Sequence, residues 1–488
     1  METIFVLIVL RGIITPKTKF DSMKKYNLIN LSKINNLSQK DIVRYYKDYI
    51  NPGIATFLKI LGFDKYKIIQ SEGMYLYTEC GRKIMDFLGG MSVLNHGHNH
   101  PRILKARREF NEGKRLEICK AFLSQYQSVL AKNLAEIFPG DLKYSFFCNS
   151  GAEANEGALK IALLYQRAYK KDKIVYTDLG YHGKTFATMS VSGSISKPYS
   201  ELFKKIDGCI EVPFGDIQAF RKLIEERKNN DIAAIILEAV KADLALMPPQ
   251  GYLEELYSLC KKNNIIMIVD EVYTGFGRTG KMFAFEHGNI VPDIVTFSKS
   301  LGGGKASIAG YIVKPYIFQK AYGSLGTCTI HTTTFGGLGE ECATAIEALN
   351  IIIDEGLVEN ARVQGEYLLE RMRYLKSKYP QYIKNVQCIG LLGVFEFRNS
   401  CEIFGAKFLS KITHVNEWLI GLFPAVVASE LFKKHNILIY TGGKEDYLPV
   451  NPSLIVKREE IDIFIKAVDD VLSRNVFNLA MRLATNIL

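Results

Sequence analysis

No CxxC pair occurs among the nine cysteines of this 488-residue chain, and the nine are scattered and odd in number. That pattern excludes a disulfide framework and a paired-thiolate zinc site, and the thiols read as reduced, in a cytoplasmic protein. No basic block is interleaved with aromatics. The net charge is +11, from 62 basic and 51 acidic residues, but the excess is spread through pieces such as KKDK at 170–173 and KK at 204–205. Nucleic-acid binding is therefore not expected, and the charge implies no more than a mildly positive field that favours anionic ligands. The apolar run at 4–10, IFVLIVL, is too short to cross a bilayer as a helix. It has Glu2 before it and Arg11 after it, without the basic leader and small-residue cleavage site of a secretory signal. The expectation is no membrane association and an N-terminal extension over 1–50 that is partly disordered, its apolar start disordered or loosely packed, with Met23 as an alternative start.

What is present is a chain long enough for one large or two medium domains, with 48% hydrophobic residues, the level of a soluble globular protein. Two stretches organise it. Ile265 to Val269 is an unbroken apolar run that ends on Asp270 and Glu271 and then meets Gly275, Gly277 and Gly280. Ile294 to Phe297 is followed by Ser298, Lys299 and Ser300, then Gly302, Gly303 and Gly304. Each reads as a buried parallel strand that delivers a charge to a glycine-rich loop. The carboxyl edge of an open α/β sheet is where ligands sit. Asp270 and Lys299 are either a buried ion pair or the two contacts that pyridoxal phosphate requires. That cofactor takes a lysine amine on its aldehyde, as a Schiff base, and a carboxylate against its ring nitrogen. A desolvated lysine loses its proton readily and becomes nucleophilic, so Lys299 fits the first role and Asp270 the second.

The remaining elements surround these two. A helix is expected near 39–50, a hairpin from 73, and helical periodicity from 102 to about 140. His96, His98 and His100 alternate on a loop beside Pro101, which without Cys or acid partners is weak evidence for a metal. LKYSFFC (142–148) is a strand, and Asn149, Ser150, Gly151, Ala152 and Glu153 open a helix to about Tyr169. Ser and Gly at such a turn make either an ordinary cap or an anion site formed by free N–H groups. Residues 173–178 form a strand leading to Tyr181, His182 and Gly183, and 233–240 is an apolar strand that carries Glu238. A polar turn spans His331 to Gly337, a helical stretch runs from about Glu340 to Lys378, and 390–397 is a strand. Residues 399–430 look like an insertion, more apolar than one exposed loop should be. They read either as packing against the small domain or a partner subunit, or as a contact for a greasy substrate or carrier protein.

DEVYTGFGRTG and FSKSLGGG, with NSGAEANEGALKIA at 149–162, YHGKT at 181–185 and HTTTFGG at 331–337, resemble the class III aminotransferases, and the putrescine aminotransferases most in look. The resemblance runs from about Asn51 to the C-terminus. It implies a fold-type I α/β protein with a large, mainly parallel sheet domain (85–345). A smaller α/β domain would come from 51–84 and 346–488. It implies pyridoxal 5′-phosphate as cofactor, an amine or amino acid and an oxo acid or aldehyde as substrates, and a homodimer with shared sites. Lys299 and Asp270 are then catalytic. Ser150, Gly151, Ala152, Tyr181, His182, Glu238, Val272 and Tyr273 bind the cofactor. Among these, Gly151 and Ala152 donate to its phosphate, Tyr181 stacks on its ring, and Tyr273 takes the place of a glutamine that bonds its phenolic oxygen. Thr334 reaches the phosphate in the other subunit. The chain also departs from the pattern. Glu238 is followed by Ala239, Val240, Lys241, Ala242 and Asp243 where relatives continue with Pro and Gln-Gly-Glu, and Leu338-Gly339 replaces Asn-Pro. Relatives bind a substrate carboxylate with an arginine near the position of Leu448, yet no arginine lies between 399 and 457.

Overall fold

The computed structural model describes residues 28–118, 121–193, 204–227, 229–405, 421–440 and 446–484, the last four for the backbone alone. The apolar run at 4–10 and the middle of the 399–430 segment lie outside the described residues. The chain divides into two compact units, Met1–Ala55 and Thr56–Leu488. In the first, a helix spans Gln39–Tyr49, and the Ser38 hydroxyl caps it by accepting the N–H of Asp41 at 3.1 Å.

The second unit contains three sheets. Strands β1 (Ile68–Glu72), β2 (Tyr75–Thr78) and β3 (Lys83–Asp86) come first. Then come β4 (Tyr144–Cys148), β5 (Lys173–Thr177), β6 (Cys209–Val212), β7 (Ile232–Leu237), β8 (Ile266–Asp270), β9 (Ile294–Phe297) and β10 (Ala309–Val313). The last are β11 (Ile383–Ile389), β12 (Leu392–Phe397), β13 (Ile437–Leu438) and β14 (Tyr447–Val450). The largest sheet has the order β4-β10-β9-β8-β7-β5-β6. Only β10 runs against its neighbours, β4 and β9, while β9, β8, β7, β5 and β6 pair in parallel. A second sheet, β1-β2-β3-β13, joins 68–86 to 437–438, and the third is antiparallel, β11-β12-β14.

Every residue of β7, β8, β9 and β10 is buried. This is why these segments are continuous apolar runs and not alternating ones: helices cover both faces of a parallel sheet. Each fully buried Val, Ile or Leu there contributes about 1.5–3 kcal/mol relative to exposure. The helix Gly151–Gln166 lies against the sheet on a face of Ala154, Ala158, Ile161 and Ala162. At Gly157 a Cβ would come within 2.8 Å of the Tyr311 ring, so glycine permits that close approach.

The apolar run of the 399–430 segment has a clear place where it is described. The helix Leu422–His435 buries every residue from Leu422 to Phe432 and packs on the helices Arg458–Ser473 and Val476–Ala484. Its greasy character is core packing within this chain, not a substrate contact. The three loop histidines diverge to different partners. His96 Nε2 lies 2.9 Å from the Ala348 carbonyl, His98 Nε2 2.8 Å from Asp86 Oδ2, and His100 Nε2 3.1 Å from Glu355 Oε1. Among the described residues no helix is long and apolar enough to cross a membrane.

Candidate active site

Register brings the site together. Leu237 pairs with Val269, and Asp270 with Thr296. The carboxyl ends of β7, β8 and β9 therefore lie side by side, with Glu238, Asp270 and Lys299 carried on or just beyond them. A cavity of about 540 Å³ opens there, and its wall includes Gly151, Tyr181, Glu238, Asp270, Tyr273 and Lys299.

Asp270 is 4% exposed. Its Oδ1 accepts the N–H of Val272 at 2.9 Å. Its Oδ2 accepts from Asn155 Nδ2 at 2.7 Å and faces His182 Nδ1 at 2.8 Å. Burial alone would raise its pKa, but the hydrogen bond and charge of His182, with the N–H groups of Val272 and Asn155, hold it below the ordinary value. Lys299 is a non-glycine residue in the left-handed region, at φ 44°, a conformation that costs energy and persists where the surroundings enforce it. Its Nζ lies 3.7 Å from the centroid of the Tyr273 ring. Burial lowers its pKa from 10.5 to about 8, against the opposing pull of Asp270 and Glu238. An amine that is largely neutral in mildly basic water is a competent nucleophile.

Tyr181 is 42% exposed, and its backbone N–H donates to Glu238 Oε1 at 2.9 Å. His182 is buried, and its Nε2 has no partner among the described residues. Gly151 and Ala152 begin a helix, where the first N–H groups lack intrahelical acceptors. A Cβ on Gly151 would stand 2.7 Å from Val272 Cγ1, so a side chain there would crowd the wall. Ser150 does not line the cavity. Its hydroxyl caps the helix, accepting the N–H of Glu153 at 3.3 Å and donating to Glu153 Oε2 at 3.0 Å. Thr334 is also absent from this cavity. It is exposed and lines a separate groove with Gln127, Phe147 and Gly336. The Tyr273 hydroxyl accepts from Asn451 Nδ2 at 3.0 Å and is directed at Met91 Sδ at 3.7 Å.

These residues fit pyridoxal phosphate. A buried carboxylate oxygen with spare acceptor capacity, a neutralisable amine, an unfilled helix N-terminus and an open aromatic face all border one cavity. Leu448 is fully buried on β14 opposite Phe395 and is not among the residues that line the cavity. Among the described residues no arginine lines the cavity.

Sequence reasoning missed the residues that support this wall. Asn155 ties Asp270 to the His182 carbonyl at 2.8 Å and accepts from Thr296 Oγ1 at 2.7 Å. Its place, one helical turn after Gly151, was the available signal. Arg278 is fully buried and donates to Ser92 Oγ, Asn95 Oδ1 and the carbonyls of Leu391 and Pro452. Ser92 in turn donates to the Tyr273 carbonyl at 2.7 Å. Gly89, Gly90, Met91 and Ser92 all have positive φ, between 56° and 70°. Nothing in the sequence marks Met91 and Ser92 for that strained turn.

The family model described as "Aminotransferase class-III" matches residues 63–472. Among solved structures, the chain is similar to the ornithine aminotransferase of Toxoplasma gondii ME49 at 25% identity and a TM-score of 0.76, covering 91% of this chain and 98% of that one. It is similar to an (S)-enantioselective omega-transaminase from Thermomicrobium roseum at 28% identity and a TM-score of 0.74, covering 84% and 92%. It shares the fold of a transaminase from the marine bacterium Virgibacillus, at 24% identity and a TM-score of 0.74.

Proposed function

The chain belongs to the class-III aminotransferases, which are pyridoxal-phosphate-dependent enzymes, and from that premise we propose that it moves the amino group of a primary amine or ω-amino compound to a carbonyl acceptor in a ping-pong cycle. The observation that carries the donor class is the cavity wall itself. Among the described residues it lacks an arginine, and Leu448, which the resemblance places where relatives carry one, is a core leucine. A leucine cannot make the bidentate contact that fixes a carboxylate. The look of LKYSFFCNSGAEANEGALK and HTTTFGG, similar to the putrescine aminotransferases, supports the same class.

When bound, pyridoxal phosphate supplies the electron sink that acidifies the C–H of the substrate amine. The chain's own residues do the rest. Lys299 Nζ holds the cofactor. Once freed by substrate, its amine would take the proton from the substrate carbon and return it, acting as general base and then general acid. Asp270 stays ionised and keeps a proton on the ring nitrogen. His182 and Asn155 hold its carboxylate in place. The N–H groups of Gly151 and Ala152 would take the phosphate at the positive end of their helix. Tyr181 would stack on the ring. The Tyr273 hydroxyl, facing only a weak thioether acceptor, turns to the phenolic oxygen.

The test is the visible absorbance of the purified protein with pyridoxal phosphate. Primary amines and ω-amino compounds should bleach the band, and an oxo acid or aldehyde should restore it. For these donors kcat/KM should exceed that of α-amino acids by at least about tenfold, the scale of one lost charged contact. An α-amino acid as the better donor would remove the proposal.

The site is shared in a homodimer. Thr334 lines a groove separate from its own cavity, next to Phe335, which is 60% exposed, and an exposed aromatic beside such a groove fits an interface. Light scattering should give twice the mass of one chain. Thr334→Ala should weaken cofactor retention about tenfold, as loss of one hydrogen bond to a charged group does. A monomeric protein that binds the cofactor fully would refute the sharing.

A further inference from the structure

The loop after β7 holds a buried cation that the reaction as described does not use. Lys241 is 2% exposed. Its Nζ lies 2.9 Å from Glu238 Oε1 and 2.9 Å from Asp243 Oδ1. Glu238 Oε2 accepts the N–H of Ala242 at 3.1 Å, and Glu238 Oε1 also accepts the N–H of Tyr181. The backbone of Lys241 is closed on Leu246 by two hydrogen bonds, 2.9 and 3.1 Å, around Ala245, a buried residue with φ 46°. Lys241, Ala242 and Asp243 all line the cavity that holds Lys299. This is where the chain leaves the pattern of its relatives. A buried lysine is costly unless paired, and here two acids pair it.

We propose that Lys241 is a positioning residue for Lys299: clamped between Glu238 and Asp243, its ammonium holds the Lys241–Leu246 turn and the Tyr181 backbone at the cavity wall and cancels the charge that Glu238 would otherwise turn on the reactive amine. The charged and titratable groups that line the cavity with Lys299 are Asp270 at the end of β8, Glu238, Lys241 and Asp243 after β7, Tyr181, His182 and Lys184 after β5, and Tyr273 after β8, and the buried Arg278 also acts on the amine. Glu238 favours the protonated amine and Lys241 the neutral one. The carboxylates of Glu238 and Asp243 drive the Lys241 ammonium above its ordinary pKa although burial opposes them, so Lys241 stays charged wherever Lys299 titrates. Without Lys241, the acids stand unpaired beside an amine that must lose its proton to react.

The proposal rests on Lys299 being the cofactor-holding amine, and the experiment separates the two. Added pyridoxal phosphate is captured by the full-length protein when the amine condenses with the aldehyde and one water leaves. The rate is read by visible absorbance. The attachment site is read by mass after borohydride reduces the C=N bond to C–N. In the wild type the rate should rise with pH around a midpoint of about 8. Lys241→Gln should move the midpoint up by about one unit, which makes capture about tenfold slower well below it. Lys241→Arg should keep the wild-type midpoint. The double variant Glu238→Gln/Lys241→Gln, which carries neither buried charge, should return to within about 0.3 units of wild type. A midpoint unchanged in Lys241→Gln, or a double variant displaced as far as the single one, would overturn the proposal. So would a soluble Lys241→Gln protein that captures nothing. Capture in Lys299→Ala equal to wild type would instead remove the site reading itself.

Discussion

Lys299→Ala is expected to lose covalent capture of pyridoxal phosphate and to lower kcat by at least about 10³-fold, the range for removing a group that acts as both nucleophile and general base. Of the other lysines on the wall, Lys184 is exposed. Lys241, the other buried lysine on the wall, is fixed by Glu238 and Asp243. The variant should nonetheless fold. Burial lowers the Lys299 amine from 10.5 to about 8, so the unfolded chain holds more protons than the folded one between those values. The residue's contribution to stability is therefore fully present above about 10.5 and is lost as pH falls through about 8. At pH 7 the native lysine is a liability, and the alanine variant without cofactor should melt no lower than wild type in the same state. A kcat within tenfold of wild type, or a peptide map showing capture at another lysine, would remove Lys299 from the role assigned to it.

Asp270→Asn is expected to cost activity on a similar scale, about 10²–10³-fold, as removal of one preorganised electrostatic contact does in other active sites. The substitution preserves shape and removes charge. Three groups now converge on the carboxylate: Val272 N–H, Asn155 Nδ2 and His182 Nδ1. An amide offers one acceptor oxygen in place of two and turns a donor toward one of the three. Leaving one buried donor unsatisfied costs about 1–3 kcal/mol. The variant should therefore show both a lower melting temperature and a kcat loss with cofactor still attached to Lys299, since the attachment chemistry belongs to the lysine. Activity within threefold of wild type would show that the ring nitrogen does not depend on this carboxylate.

The strands that carry the chemistry were legible in the chain because buried parallel strands are continuous apolar runs. Ile232–Leu237, Ile266–Asp270 and Ile294–Phe297 have no polar residue before the site begins, apart from Thr296. That same Thr296 is the one whose hydroxyl reaches Asn155. Asp270 and Lys299 were legible for the same reason: a charge at the end of such a run has no place in a core without a function or a partner. Ser150 and Thr334 show the limit of that reading. The motif names both, but the Ser150 hydroxyl is occupied by its helix cap, and Thr334 lies on a different groove of its own chain. Apolar density at 399–430 left two readings open, packing and a greasy contact, and the described part of the segment bears out packing. That density marked a segment as unusual but could not say that the helix Leu422–His435 is swallowed by the fold, because burial on every side looks the same in sequence as an exposed greasy surface.

By itself the sequence determined the sheet strands, the glycine-rich ends, and which two charged residues stand at the strand ends beside the cavity, since these follow from local hydrophobic pattern and from the cost of burying a charge. Only the tertiary structure decided what stands around them. It set the strand register that places Glu238, Asp270 and Lys299 on one edge, and the left-handed turn at Gly89–Ser92 held under Arg278. It closed the Asn155 link between helix and strand, and it clamped Lys241 between Glu238 and Asp243. Each of these joins residues far apart in the chain or fixes a backbone shape that no residue type demands. Their energies come from contacts that exist only once the core has closed.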